Sequence, residues 1–93
     1  MIKTFASRET ELLFVNGTSR RLPTDIVRTA LRKLDYLNAA ATVNDLRVPP
    51  GNRLEALRGD LKGRHSIRIN DQFRLVFRFE NGDAYDVEIV DYH

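Results

Sequence analysis

The spacing of apolar residues changes along the chain, and each change marks a new element. Ile2-Lys3-Thr4-Phe5 predicts a short first strand. Ser7 is suited to cap a short helix running to Val15, and Asn16-Gly17 to stop it, because glycine takes the left-handed position at a helix end without strain. Pro23 suits the first turn of a second helix. Ile26, Val27, Ala30, Leu31, Leu34 and Leu37 then fall on one helical face over residues 23–41, leaving Arg28, Arg32, Lys33 and Asp35 for a solvated face. Pro49-Pro50-Gly51-Asn52 breaks the helical pattern, and beyond it the period falls to two. Strands are predicted over 53–57, 65–69, 73–79 and 85–90, the third turning at Glu80-Asn81-Gly82-Asp83 into the fourth. The order β-α-α-β-β-β-β predicts an α+β fold of one domain, with two N-terminal helices on one face of an antiparallel meander.

Register follows from keeping core residues on one face. Ile69 pairs with Phe73 and Ile67 with Leu75, which sets Arg68 opposite Arg74 on the other face. Phe79 with Tyr85 and Phe77 with Val87 sets Arg78 opposite Asp86, a cross-strand ion pair. Arg68 against Arg74 is a like-charge pair, which weakens a sheet unless something offsets it. Glu88, diagonal to Arg74, relieves part of the cost; a bound phosphate relieves more, because guanidinium forks match phosphate oxygens. Val90 and Tyr92 continue the outward face of Arg74. His65 shares a face with Ile67 and reads as structural.

Charge sharpens this picture. The 93 residues carry a net charge of only +2, yet residues 47–78 hold eight Lys/Arg against three Asp/Glu, and residues 79–93 hold five Asp/Glu and no Lys/Arg. A basic middle segment of this kind suits a polyanion. The competing reading is neutralisation of basic strands by the acidic last strand. The loop Leu57-Arg58-Gly59-Asp60-Leu61-Lys62-Gly63-Arg64 is basic and glycine-punctuated, but lacks the spacing of a nucleotide-phosphate loop. With no cysteine and only two histidines, no thiolate metal site or disulfide is available, and no cofactor motif or metal-ligand spacing appears. The chain shows no signal peptide and no apolar run approaching the ~20 residues that span a bilayer, so a cytoplasmic protein without a membrane partner is expected. The chain finishes on Asp91-Tyr92-His93, a carboxylate, a phenol and an imidazole able to hold and exchange protons.

Asn52-Arg53-Leu54-Glu55-Ala56-Leu57-Arg58-Gly59-Asp60, the run from His65 to Phe77, Gly82-Asp83-Ala84-Tyr85 and Val90-Asp91-Tyr92-His93 together resemble the HigB toxins of the RelE/ParE-like superfamily. The likeness covers nearly the whole chain. It implies a curved antiparallel sheet carrying two N-terminal helices, and a ribosome-dependent endoribonuclease cutting mRNA in the A site. It also implies a HigA-type helix-turn-helix antitoxin, and an operator DNA bound through the toxin–antitoxin complex. The family's terminal Asp-Tyr-His matches Asp91, Tyr92 and His93. Its basic residue before Gly-Asp matches Arg58, and its strand-start arginine matches Arg74, with Phe73 where Trp is usual. Glu55 stands where members commonly carry His: a carboxylate accepts a proton but is no cationic donor.

RNA cleavage by the substrate's own 2′-hydroxyl needs a base, an acid and positive charge on the phosphorane. His93 is the expected acid–base group, oriented by Asp91. Tyr92 would stack on a base or meet the phosphate, Arg58 and Arg74 would stabilise charge, and Glu55 is a second base. Arg53, Lys62, Arg64 and Arg68 are the expected RNA-contacting cations. Two other readings remain: a ParE-like inhibitor of a protein target, and a binding module acting only through antitoxin and operator DNA.

Overall fold

The computed structural model describes residues 1–92; His93, the expected acid–base residue, lies outside the described residues. Helix α1 spans Arg8–Asn16, with the Ser7 hydroxyl accepting from Thr10 N–H and left-handed Gly17 closing the helix through its N–H to Leu13 O. Helix α2 spans Thr24–Ala39. Four strands follow, β1 (Glu55–Ala56), β2 (Arg64–Arg68), β3 (Phe73–Glu80) and β4 (Asp83–Asp91), in one antiparallel sheet of that order. The expected α+β meander is therefore present.

Both helices pack on one sheet face. Leu13, Ala30, Leu34, Leu37, Ile67, Leu75, Phe77 and Val87 are fully buried there. Thr10, also buried, locks α1 to the sheet: its Oγ1 accepts the Ile89 N–H of β4 at 3.0 Å. The apolar face read from the α2 spacing is the face that is buried, with one addition. Lys33, expected in solvent, is buried beside it and donates from Nζ to Asn52 Oδ1.

The segment 2–5 joins the sheet as expected, though only through two isolated parallel bridges to β4, Ile2 with Ala84 and Phe5 with Val87. The strand expected over 53–57 shrinks to Glu55–Ala56. Arg53 closes a 3-10 turn over Pro50–Asn52 with a left-handed φ of 45°, so its backbone cannot run extended.

Register is as expected between β2 and β3, with Ile67 opposite Leu75 and Arg68 opposite Arg74. Between β3 and β4 it holds from Phe73 to Val76, then shifts by one. Asp86, at φ 55°, is the inserted residue of a bulge, and its freed N–H donates to Thr4 Oγ1 at 2.8 Å. Beyond the bulge Arg78 sits opposite Tyr85, and Ala84 rather than Tyr85 faces the core. The expected Arg78–Asp86 ion pair survives at 3.4 Å, joined by Glu80 at 2.8 Å and the Tyr85 ring at 4.7 Å.

His65 is structural, as read: its ring stacks on Phe77 at 6.3 Å, and its Nδ1 is buried without a hydrogen-bond partner among the described residues. Burial pushes the imidazole below its ordinary value. The unfolded chain therefore binds the proton first, so this contribution is intact at neutral pH and declines as pH falls below about 6.5, ceasing once folded His65 is itself protonated. We predict that His65→Phe lowers the acid sensitivity of stability. Urea midpoints of both proteins at pH 7 and pH 5 check this; equal losses in the two would refute it.

Candidate RNA-binding cleft

The outward sheet face is built around Arg74. Alternation on β3 turns its side chain away from the helices, and β2 supplies the support beneath it. Ser66, wholly buried on that face, accepts from Arg74 Nε at 2.8 Å. The left-handed turn at Arg53 presents its carbonyl to Arg74 Nη2 at 2.7 Å. Nη1 lies 3.7 Å from Glu55 Oε1, an ion pair too long for a hydrogen bond. The Tyr92 ring lies 5.9 Å from the guanidinium carbon. Only 11% of the Arg74 side chain is exposed, against 57% for Glu55. The guanidinium is thus fixed through two nitrogens, while its third faces an exposed carboxylate 3.7 Å away that makes no hydrogen bond to it.

An open cleft of about 600 Å³ lies over this group, lined by Gly51, Arg53, Glu55, Arg68, Asn70, Asp71, Arg74 and Tyr92. Three guanidiniums there outnumber two carboxylates, so the cleft keeps a positive excess that suits a phosphodiester. The like-charge pair is offset on both sides. Arg68 is bonded to Asp71, and Arg74 is met by Glu55 rather than by the expected Glu88. The Asn70–Gln72 connection, read only as a tight turn, therefore lends the cleft two of its polar walls. Asn70 Oδ1 holds that turn by accepting from Gln72 N–H at 2.9 Å and Phe73 N–H at 2.7 Å.

Of the expected site residues, the cleft gathers Arg53, Glu55, Arg68, Arg74 and Tyr92. Tyr92 N–H donates to Gln72 O at 2.7 Å and Gln72 Nε2 donates to Asp91 Oδ2 at 3.0 Å, which ties the last described residues to the β2–β3 turn. Arg58, Lys62 and Arg64 do not line it. Arg58 and Lys62 are exposed beside the Gly59–Leu61 turn, and Arg64 reaches Asp86 at 3.8 Å. Ser66, Asn70 and Asp71 were missed: each is a common turn or strand residue with no signal until the register is known.

The described residues thus form an arginine-centred cleft on the open face of a four-stranded antiparallel meander backed by two helices. Residues 3–93 match the family of RelE-like toxins of the type II toxin–antitoxin system HigB, and the chain belongs to that family. Toxin HigB-1 of Vibrio cholerae is 51% identical over 65 residues, covering 70% of this chain and 68% of that one. Endoribonuclease HigB of Proteus vulgaris is 33% identical over all of both chains. Among solved structures, the fold is shared with the YoeB–YefM complex of Staphylococcus aureus (TM-score 0.59, 20% identity, covering 100% of this chain and 95% of that one) and with YafQ of E. coli (TM-score 0.58, 12% identity, 99% and 92%).

Arg74 and Arg68 separate in their structural roles. Losing Arg74 strips buried Ser66 and the Arg53 carbonyl of a charged donor, at a cost of about 2–4 kcal/mol, whereas the exposed Arg68–Asp71 pair is worth about 0.2–1 kcal/mol. We expect Arg74→Ala to lower the denaturant-extrapolated stability by that larger amount and Arg68→Ala to leave it nearly unchanged, while both weaken affinity for a short oligoribonucleotide. Unaltered affinity in both would end the assignment of this cleft to RNA.

Proposed function

We propose that this chain is the toxin of a type II pair, an endoribonuclease that cuts mRNA in the ribosomal A site and is neutralised by a HigA-type helix-turn-helix antitoxin. The pair would bind its own operator DNA through the antitoxin. The observation that carries this reading is Tyr92 beside a partly buried, two-point-anchored Arg74 with Glu55 opposite: a base-stacking ring, a phosphate-binding fork and a proton acceptor at one cleft. The name of the Proteus vulgaris relative, Endoribonuclease HigB, supports the same reaction class.

The reaction is assigned to side chains alone. Glu55, the candidate base, takes the proton of the substrate 2′-hydroxyl as that oxygen attacks the adjacent phosphorus. The phosphorane carries extra negative charge on its equatorial oxygens, which Arg74 and Arg68 neutralise. The bond to the 5′-oxygen then breaks, and the acid returns a proton to it, leaving a 2′,3′-cyclic phosphate and a free 5′-hydroxyl. His93 is the assigned acid, because an imidazole of ordinary pKa near 6.5 exchanges protons at neutral pH. Asp91 is assigned to orient it, and Tyr92 to stack on a base at the cut. Arg58, Lys62 and Arg64, outside the cleft, are assigned to flanking phosphates, where exposed cations add salt-sensitive affinity.

Primer extension on a translated mRNA after induction should reveal cuts at codon boundaries that vanish when translation is blocked. His93→Gln should reduce cleavage by about 10²–10⁴-fold, the usual contribution of a positioned acid or base. Cuts on naked RNA alone, or full activity in His93→Gln, would contradict the mechanism. Growth arrest without RNA cleavage would point instead to a protein target.

A further inference from the structure

Lys33 is buried at 8% exposure, yet its Nζ donates to a neutral amide, Asn52 Oδ1. Burying an ammonium is costly, so a lysine held this way invites a reason beyond packing. The Tyr36 ring lies 5.8 Å from Nζ, and burial together with the nearby Arg32 and Arg68 charges lowers the Lys33 pKa from its ordinary value.

The reason is visible in what Asn52 holds. Asn52 is fully buried, and its Nδ2 donates to Leu46 O at 3.1 Å and Val48 O at 3.4 Å. Its backbone N–H closes on Pro49 O at 2.9 Å, and that of Arg53 on Pro50 O at 3.1 Å. The turn so fixed puts Arg53 in its left-handed conformation and points its carbonyl at Arg74 Nη2, 2.7 Å away. Gly51 and Arg53, on either side of Asn52, both line the cleft. A continuous path thus runs from α2 through Lys33, Asn52 and the Arg53 carbonyl to the guanidinium.

We infer that Lys33 is a positioning residue for RNA cleavage, which aims the Arg74 guanidinium by clamping Asn52 and the turn that carries Arg53. This rests on the nuclease reading above. A lysine that only fills space would destabilise the fold when replaced, but its effect on rate would be independent of Arg74.

The test is a cycle on the full chain in a ribosome-dependent cleavage assay, using Lys33→Met, Arg74→Ala and the double variant. Lys33→Met should lower kcat by about tenfold to a hundredfold, the scale of a misplaced catalytic group, with KM nearly unchanged. The double variant should be no slower than Arg74→Ala alone. Independent, multiplying effects, or Lys33→Met within twofold of wild type, would overturn the inference and leave the nuclease reading intact. A wild-type chain that cuts nothing on ribosomes would remove both. Should Lys33→Met fail to fold, Lys33→Gln takes its place, with the Arg74 Nε–H resonance as a second readout. That resonance should move and exchange faster; an unchanged signal would overturn the inference.

Discussion

The guanidinium of Arg74 is the contact on which the outward face depends. It joins the buried Ser66 hydroxyl of β2, the carbonyl of the Arg53 turn, the Glu55 carboxylate of β1 and the Tyr92 ring near the end of the chain. These partners come from three separate stretches of the sequence, 53–55, 66 and 92, so one side chain ties the edge strand, the proline-rich turn and the last described residue to the centre of the sheet. Arginine serves here where lysine would not, because a planar fork with five donors satisfies several fixed acceptors and still offers one edge outward.

The same arrangement makes the cleft a strained electrostatic design. Arg68 opposite Arg74 repels, and the two nearby carboxylates, Glu55 and Asp71, are among the more exposed groups of the cleft. An exposed carboxylate screens weakly and yields readily to a stronger anion. A phosphodiester entering the cleft would complete a neutralisation that the free protein achieves only in part. At the other end of the same face the arginine problem is solved internally: Arg78 has Glu80, Asp86 and the Tyr85 ring, and Arg64 shares Asp86. The contrast between a neutralised end and an under-neutralised end is what supports the proposed binding of RNA over Arg68 and Arg74.

Much of this was legible in the chain itself. Period-two alternation gave β3 and the Ile67–Leu75 register, and that register alone placed Arg68 opposite Arg74. Ser7 and Gly17 marked the two ends of α1 because capping is local chemistry. Features set by distant contacts were not legible. Lys33 looks like any solvated helix lysine until Asn52 is known to reach it. The bulge at Asp86 depends on a hydroxyl more than eighty residues away, at Thr4, and so the Tyr85 side of the β3–β4 register was displaced by one. Glu55 was noticed for the residue type it replaces in its family. Its pairing with Arg74 is visible only once the β1–β2 register sets it opposite Ser66, to which Arg74 donates. Arg58, grouped with Arg74 by family pattern, lies outside the cleft lining.

The central claim is that RNA is held over Arg74, between the Arg53 turn and Tyr92. The most direct measurement is a backbone-amide chemical-shift titration of the intact chain with a short RNA whose 2′-hydroxyl at the cut is replaced by hydrogen, at low ionic strength. The account expects the largest shifts at Gly51, Arg53, Arg74 and Tyr92, fading as salt rises. Shifts centred on the helix face of the sheet, or confined to Arg58–Arg64 with Arg74 and Tyr92 silent, would contradict it.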